Sequence, residues 1–214
     1  MPRFYSPSRR CHHLRGGKSC AVVAAMNTIA HMVVASAALA RPEQSKRNWA
    51  VLLGAFFPDA SMFVFFAWSR VQAWDGNETW NVQYWNEPWQ MLGAASNSFV
   101  LFGILFAAAV WRKWPILWVI AAAALLHIAL DFPLHADDAH RHFWPVSDWR
   151  FFSRVSYWDP DANGVLGGAI ETMVALGATL LLWRRFPNRR WRAMFAGLAL
   201  LQGLAFSAQI AWSL

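Results

Sequence analysis

The chain has 214 residues, of which 57% are hydrophobic and only 14% are charged, and it contains 15 Trp and 16 Phe. Soluble globular domains average about 25% charged residues, so this composition excludes a disordered protein, a coiled coil and a disulfide scaffold, and it predicts a polytopic membrane protein. The net charge of +7 does not indicate nucleic-acid binding, because the arginines lie in short clusters between apolar runs. The two cysteines, Cys11 and Cys20, lie near the N-terminus, so a metal bound further along would need His and carboxylate ligands.

Six apolar stretches approach or reach the length of about 20 residues that crosses a bilayer. They cover residues 26–40, 49–68, 91–111, 115–134, 165–183 and 193–213. The first is short unless its helix begins near Cys20. We therefore predict an all-α fold, a polytopic integral membrane bundle of about six transmembrane helices, in a single domain over residues 26–214.

The basic residues between these stretches predict the orientation of the bundle. Connectors rich in Lys and Arg face the cytoplasm. The first, third and fifth connectors carry ten basic residues, whereas the second and fourth carry four, together with eight acidic residues. We expect the odd connectors to be cytoplasmic and the even ones, residues 69–90 and 135–164, to be external.

Residues 1–25 form a basic leader that conflicts with this orientation, because it carries five more basic residues. One interpretation is that translation starts at Met26, so that the leader is a start-site artefact or is disordered. The other is a cleaved signal peptide over residues 1–40, ending in Ala38-Leu39-Ala40. Cleavage would invert every later helix and send the five-arginine connector outward, so we favour the start at Met26.

The two external connectors are rich in tryptophan. Indole rings favour the membrane interface, where the N–H reaches water while the ring stays in lipid. One interpretation is therefore an anchoring belt, and the other is a lid over a site for a lipid-like substrate. The tryptophans are Trp74, Trp80, Trp85 and Trp89 in the second connector, and Trp144, Trp149 and Trp158 in the fourth.

Ionisable side chains inside a membrane span are costly and indicate function. The predicted spans contain five of them, from four different helices: His31, Asp59, His127, Asp131 and Glu171. With a rise of about 1.5 Å per residue, all five lie roughly 14–24 Å from the cytoplasmic ends of their helices. We therefore expect these side chains to meet in one polar pocket inside the bundle, whichever way the bundle is oriented.

The sequence HIALDFPLH, residues 127–135, contains the highest density of potential metal ligands in the predicted spans. The spacing of His127, Asp131 and His135 places all three on one face of a helix, and imidazole and carboxylate suit Zn²⁺, Mn²⁺ or Fe²⁺. Pro133 should loosen the last turn. The alternative is that His127 and Asp131 pair with each other only to lower their burial cost. Glu171 could likewise be a neutral buried acid.

The chain resembles the bacterial inner-membrane metal-dependent hydrolase family of the LexA-regulated type. The resemblance rests on MNTIAH with His31, GAFFPD with Asp59, and the HxxxDxxxH of residues 127–135. It is nearest to an uncharacterised branch, sometimes labelled cobalamin-biosynthesis protein, whose tail HFWPxSDWxFxSxVSYWDP corresponds to residues 142–160. No residue supports that label.

The resemblance implies an inner-membrane location and a metal site. The site would consist of His31, Asp59, His127 and Asp131, with His135 and the Asp137-Asp138 pair close by. The better-known members have His-Ser where this chain has Asn97-Ser98. Because Asn is a poorer ligand than His, this departure weakens the case for a second metal.

We therefore predict a membrane-embedded hydrolase in which one divalent ion, zinc or else manganese or iron, activates water. Glu171, Asp138 or His142 would act as general acid or base. A site beneath Trp-rich connectors predicts a lipid-like substrate, cleaved at an ester or phosphoester on the periplasmic side. The expected partners are the bilayer and this substrate, with no nucleic acid. A transporter or proton relay, and a non-catalytic scaffold, stay open as alternatives.

Overall fold

The computed structural model describes residues 19–136, 138–157 and 162–213, which form helices and their connecting segments without any strand. Residues 1–18 of the predicted leader, Asp137 and Trp158 therefore lie outside the described residues. The helices are α1 (Ser19–Leu39), α2 (Ser45–Val71), α3 (Glu87–Ser96), α4 (Phe99–Trp111), α5 (Pro115–Asp131), α6 (Gly164–Arg185) and α7 (Arg189–Ser213). The predicted all-α class is confirmed for this part of the chain.

Five helical segments of the described chain are long and apolar enough to cross a membrane, where α3 and α4 together count as one. They are Ser45–Val71, Glu87–Trp111, Pro115–Leu134, Gly164–Arg185 and Arg189–Ala211. In α1 the apolar stretch Thr28–Leu39 is shorter. Large side chains on the outside of α6 and α7, such as Leu180, Leu200 and Leu204, are more than half exposed. Such an apolar outer surface suits contact with lipid.

Helix α1 lies at the centre of the bundle, where it contacts α2, α5, α6 and α7. Its side chains Ala30, Val33 and Ala35 are completely buried. Because neighbouring helices surround α1, the side chain of His31 is also buried. The central position of α1 lets His31 reach groups on several other helices.

Helices α2 and α5 approach each other closely at Gly54. A Cβ atom added there would lie 2.3 Å from the Ile120 carbonyl oxygen and 2.9 Å from the Ala123 Cβ. Small residues at a helix interface allow backbones to come this close in membrane proteins. The close approach places Asp59, one turn further along α2, beside His127 of α5.

The predicted third span, residues 91–111, lies within the apolar segment Glu87–Trp111, but its helix is interrupted. Helix α3 ends at Ser96 and α4 begins at Phe99. The Ser98 hydroxyl caps α4 by accepting a hydrogen bond from the Leu101 amide at 3.1 Å. The Asn97 side-chain amide donates to the Pro58 carbonyl of α2 at 3.1 Å. The first contact satisfies an amide at the start of α4, and the second ties the interruption between the two helices to α2.

Candidate metal centre

Ionisable side chains from four helices meet in the middle of the bundle. The rings of His31 and His127 lie 4.2 Å apart between centroids, and the His127 Nε2 lies 3.5 Å from Asp59 Oδ1. One ligand atom each of His31, His127 and Asp131 lies within 4.8 Å of the other two. On the other side of α1, Glu171 Oε1 lies 3.7 Å from His31 Nε2. The structure therefore brings together the five residues expected to share one pocket.

In its neutral form, the His127 ring presents an unprotonated nitrogen to a carboxylate. Its Nδ1 lies 2.6 Å from the Ala55 carbonyl oxygen, and because a carbonyl can only accept, Nδ1 carries the proton. In the neutral ring the lone pair is then on Nε2, which is buried and has no hydrogen-bond partner among the described residues. It faces Asp59 Oδ1, which is another acceptor. Two facing acceptors are unfavourable unless a metal ion lies between them or a second proton makes the ring cationic, and a metal ion fits this geometry.

Asp59 is itself held in place by α1. The Thr28 hydroxyl donates a short hydrogen bond to Asp59 Oδ2, which leaves Oδ1 directed at His127. A carboxylate that is hydrogen-bonded through one oxygen keeps the other free as a ligand. The neighbouring Pro58 carbonyl is engaged by Asn97, so contacts from two other segments fix this turn of α2.

His135 lies between two carboxylates. Its Nε2 is 2.7 Å from Asp131 Oδ2, and its Nδ1 is 2.9 Å from Asp138 Oδ2. The prediction that His135 shares a continuous helical face with His127 is wrong, because α5 ends at Asp131 and a 3-10 turn, Phe132–Leu134, follows. That turn contains Pro133, which cannot donate a backbone hydrogen bond. The 3-10 turn nevertheless places the His135 ring in contact with Asp131.

An acceptor lies on the outer side of each of the three histidine rings, at hydrogen-bonding distance for His127 and His135 and at 3.7 Å for His31. The acceptors are Glu171 for His31, the Ala55 carbonyl for His127 and Asp138 for His135. Metal-ligating histidines almost always have such an outer partner, which fixes the tautomer and the direction of the ring. The His31 Nδ1, opposite Glu171, is buried without a hydrogen-bond partner in the described structure. The donor set therefore fits a divalent metal ion.

A cavity of about 40 Å³ borders this cluster. A single water molecule needs roughly 10–15 Å³ of such space, so the cavity has room for about three. Its lining includes the polar residues Asp59, Ser61, Asn97, Asp131, His135, Asp138 and His140, together with Met62, Phe65, Tyr84 and Trp89. Neither His31 nor His127 lines the cavity. The cluster thus has an outer part that borders the cavity and an inner part behind it.

An aromatic cap formed by side chains of α2, α3 and the connector between them packs at the cavity. Phe65 of α2 is at its centre, with four ring centroids at distances between 5.0 and 6.4 Å: those of Trp74, Trp80, Tyr84 and Trp89. Phe65 is 1% exposed. In the other connector Trp149 is 54% exposed. Part of the tryptophan set therefore packs over the cavity, as a lid would, and part faces outward, as a membrane anchor would.

Two residues predicted as general acids or bases lie away from the cavity. His142 is buried between Phe99 and Phe132, and its Nδ1 lies 3.0 Å from the Asn97 carbonyl oxygen. Glu171 lies behind His31, as described above. Of the three predicted residues, only Asp138 borders the cavity.

Sequence reasoning did not select His140 as a ligand, although this residue borders the cavity. One ligand atom each of Asp131, His135 and His140 lies within 4.8 Å of the other two. Burial and the neighbouring His135 and His142 lower the pKa of His140 to about 3, so its ring is neutral at neutral pH. Burial would raise the pKa of Asp138, but the charge and the hydrogen bond of His135 bring it below the usual value. The sequence feature that could have indicated His140 is the run of His and Asp residues that follows α5.

Comparisons with known proteins give no match. No protein-family model, no curated protein and no solved structure is similar to this chain. The resemblance to the hydrolase family therefore rests on the sequence motifs alone. What the site can do must be argued from its own geometry.

Proposed function

We propose that the protein is a metal-dependent hydrolase of the bacterial inner membrane. His31, Asp59, His127 and Asp131 would hold a divalent ion, zinc in the first instance, with manganese or iron as alternatives. One observation carries this proposal: the buried His127 Nε2 faces the Asp59 carboxylate while Nδ1 is committed to the Ala55 carbonyl. Without a cation or an extra proton, this arrangement places two acceptors against each other in a buried site.

The residues around the metal would have different roles in catalysis. A divalent ion bound there would activate water and polarise the oxygen of an ester or phosphoester. Asp138 is the best placed general base, because its Oδ2 accepts from His135 while its Oδ1 has no hydrogen-bond partner among the described residues. Glu171 would orient His31, and it would not touch substrate.

The aromatic lining of the cavity supports a lipid-like substrate. Phe65, Tyr84 and Trp89 offer aromatic surface in the same cavity as the carboxylates and imidazoles. The cavity of about 40 Å³ is smaller than such a substrate, so the aromatic side chains would have to move for an ester or phosphoester headgroup to reach the carboxylates. With six spans and cytoplasmic odd connectors, this cavity would open towards the periplasm.

A proton or ion relay across the membrane is less well supported. A relay needs polar or ionisable groups that reach both ends of the bundle. Between the cluster and the arginine-rich connectors, residues 32–40, 49–58, 115–126 and 172–183 contain no His, Asp, Glu, Lys or Arg. In these four helices the ionisable groups therefore extend from mid-bundle to one end only, which favours a site that opens on one side over a path through the bundle.

The test is zinc-dependent turnover by the full chain purified in detergent. Acyl esters, phosphomonoesters and phosphodiesters with p-nitrophenol leaving groups serve as probes, before and after removal of metal by a chelator. We expect hydrolysis of at least one probe, restored by zinc and lost in Asp131→Ala. The matched control is Asp148→Asn, because Asp148 is an exposed carboxylate paired with Arg141 at 3.3 Å, and this variant should keep parental activity.

Two results would contradict the proposal. Turnover that survives Asp131→Ala would place the chemistry elsewhere. A chain that hydrolyses none of the probes, yet moves protons into liposomes in response to a membrane potential, would identify a relay.

A further inference from the structure

We propose that a second divalent cation binds beside the first, on its cavity side, held by Asp131, His135 and His140. This inference rests on the proposed function, because Asp131 would be shared with the first cation. One carboxylate has two oxygens and can bind an ion through each of them. The two groups of potential ligands, His31–His127–Asp131 and Asp131–His135–His140, have only Asp131 in common.

The second group has the composition of an open catalytic metal site. Such sites use three protein ligands drawn from His, Asp and Glu, and they leave a position for water or substrate. The ligand atoms of Asp131, His135 and His140 lie within 4.8 Å of one another, and the His135 and His140 ring centroids are 5.0 Å apart. All three residues border the cavity, so the fourth position can be filled from there.

His135 is oriented as a metal ligand. Asp138 holds the Nδ1 side at 2.9 Å, and Nε2 is directed at Asp131 Oδ2 at 2.7 Å. If Nδ1 carries the proton of a neutral ring, Nε2 and Asp131 Oδ2 are two acceptors in contact. This contact is shorter than the 3.5 Å between His127 Nε2 and Asp59 Oδ1, and it is at hydrogen-bonding distance, so a cation bound here would replace the contact between His135 Nε2 and Asp131 Oδ2.

The rival explanation is that His135 is a doubly protonated imidazolium, paired with both carboxylates and without any metal. It accounts for the two short contacts, but it gives no reason for His140. The His140 ring makes no hydrogen bond or ion pair with any other described residue, and it contacts the rings of His135 and His142. A ring nitrogen with no partner among the described residues, beside two potential ligands at a cavity wall, fits a third ligand.

A second cation would also narrow the substrate class. Pairs of metal ions about 3.5–4 Å apart are typical of enzymes that cleave phosphoesters, because they stabilise both the attacking and the leaving oxygen. The inner ligands His31 and His127 do not border the cavity, so the outer ion would be the one that contacts substrate. Among the probes above, a phosphoester should therefore be preferred to an acyl ester.

The experiment counts metal ions in the full chain and tests whether they are neighbours. The detergent-purified protein is stripped of metal, reconstituted with Mn²⁺ and freed of excess, and the bound manganese is measured by elemental analysis and electron paramagnetic resonance. We expect two ions per chain with an exchange-coupled spectrum. His140→Ala should retain one ion with an uncoupled spectrum, and His140→Gln provides a second variant of similar volume. His142→Phe is the matched control and should retain two coupled ions.

The outcomes separate this inference from the proposed function. One ion in the parent, unchanged in His140→Ala and lost in His127→Ala, would refute the second cation while leaving the first. Two ions without coupling would refute the shared Asp131. No bound ion in a folded parent would overturn both the inference and the proposed function. Since the coupled spectrum is a property of the parent, the test does not depend on whether any variant folds.

Discussion

Replacement of Gly54 by alanine tests how the contact between α2 and α5 positions the metal centre. The added Cβ would lie 2.3 Å from the Ile120 carbonyl oxygen, whereas ordinary contact begins at 3.4 Å. The two backbones must therefore separate by about 1.1 Å (3.4 − 2.3), because a carbonyl oxygen in a helix cannot move aside alone. The next residue along α2, Ala55, accepts the hydrogen bond from His127.

The expected loss follows from these distances. Overpacking of this kind costs about 1–3 kcal/mol. If the helices separate, the 2.6 Å bond between His127 and Ala55 lengthens beyond hydrogen-bonding range, which costs about 1 kcal/mol more. The free energy of unfolding should fall by about 2–4 kcal/mol, and Tm by roughly 4–16 °C for a chain of this size. Loss of the outer partner of His127 should also weaken zinc binding by about 10–100-fold.

The assays are thermal unfolding in detergent and zinc titration against a chromophoric chelator. Gly103→Ala is the matched control, because no heavy atom lies within 4 Å of a Cβ added there, and alanine favours a helix by up to about 1 kcal/mol. We expect Gly103→Ala to retain parental zinc affinity and to be at least as stable. If Gly54→Ala behaves like Gly103→Ala in both assays, the close approach of α2 and α5 does not position His127.

Three further substitutions test other parts of the account. Glu171→Gln should weaken zinc binding by about 10–100-fold without abolishing it, as expected for a residue that orients a ligand; complete loss of zinc in the titration would instead make Glu171 a ligand. His142→Phe should keep zinc and any activity but lose about 1 kcal/mol of stability with its bond to Asn97, so a loss of turnover in a folded variant would restore His142 as a catalytic residue. Phe65→Ala should lower stability by about 3–5 kcal/mol, because its buried ring contacts four aromatic side chains; an unchanged Tm would mean that the cap does not pack on Phe65 in solution.

Much of the fold could be predicted from the sequence, because the properties that determine it belong to single segments of the chain. Long apolar runs and the cost of burying an ionisable group are properties of single segments, and they sufficed to predict helices around His31, Asp59, His127 and Asp131. Equal depths along separate helices then predicted that these side chains would meet. These side chains can meet because α1 is buried at the centre of the bundle. The sequence of no single segment indicates that central position.

The remaining features depend on contacts between distant segments. The break between α3 and α4 is stabilised by a hydrogen bond from Asn97 to the Pro58 carbonyl. Hydropathy averaged over a span does not show this break, because apolar residues surround Asn97 and Ser98. His140 follows α5 in an irregular segment, so helical periodicity could not show that its ring returns to Asp131. The same reason explains His142, whose partner Asn97 lies 45 residues earlier. Proximity in sequence to a metal motif did not predict which histidine faces the cavity.

The most direct measurement of the central claim is the zinc K-edge X-ray absorption spectrum of the full chain, compared with that of His127→Ala. The account predicts only nitrogen and oxygen ligands at about 2.0–2.1 Å, with scattering from at least two imidazole rings, and a loss of zinc and imidazole scattering in the variant. A sulfur shell at about 2.3 Å would place the zinc on Cys11 or Cys20 instead. That result, or an identical spectrum and zinc content in His127→Ala, would contradict a metal centre built by α1, α2 and α5.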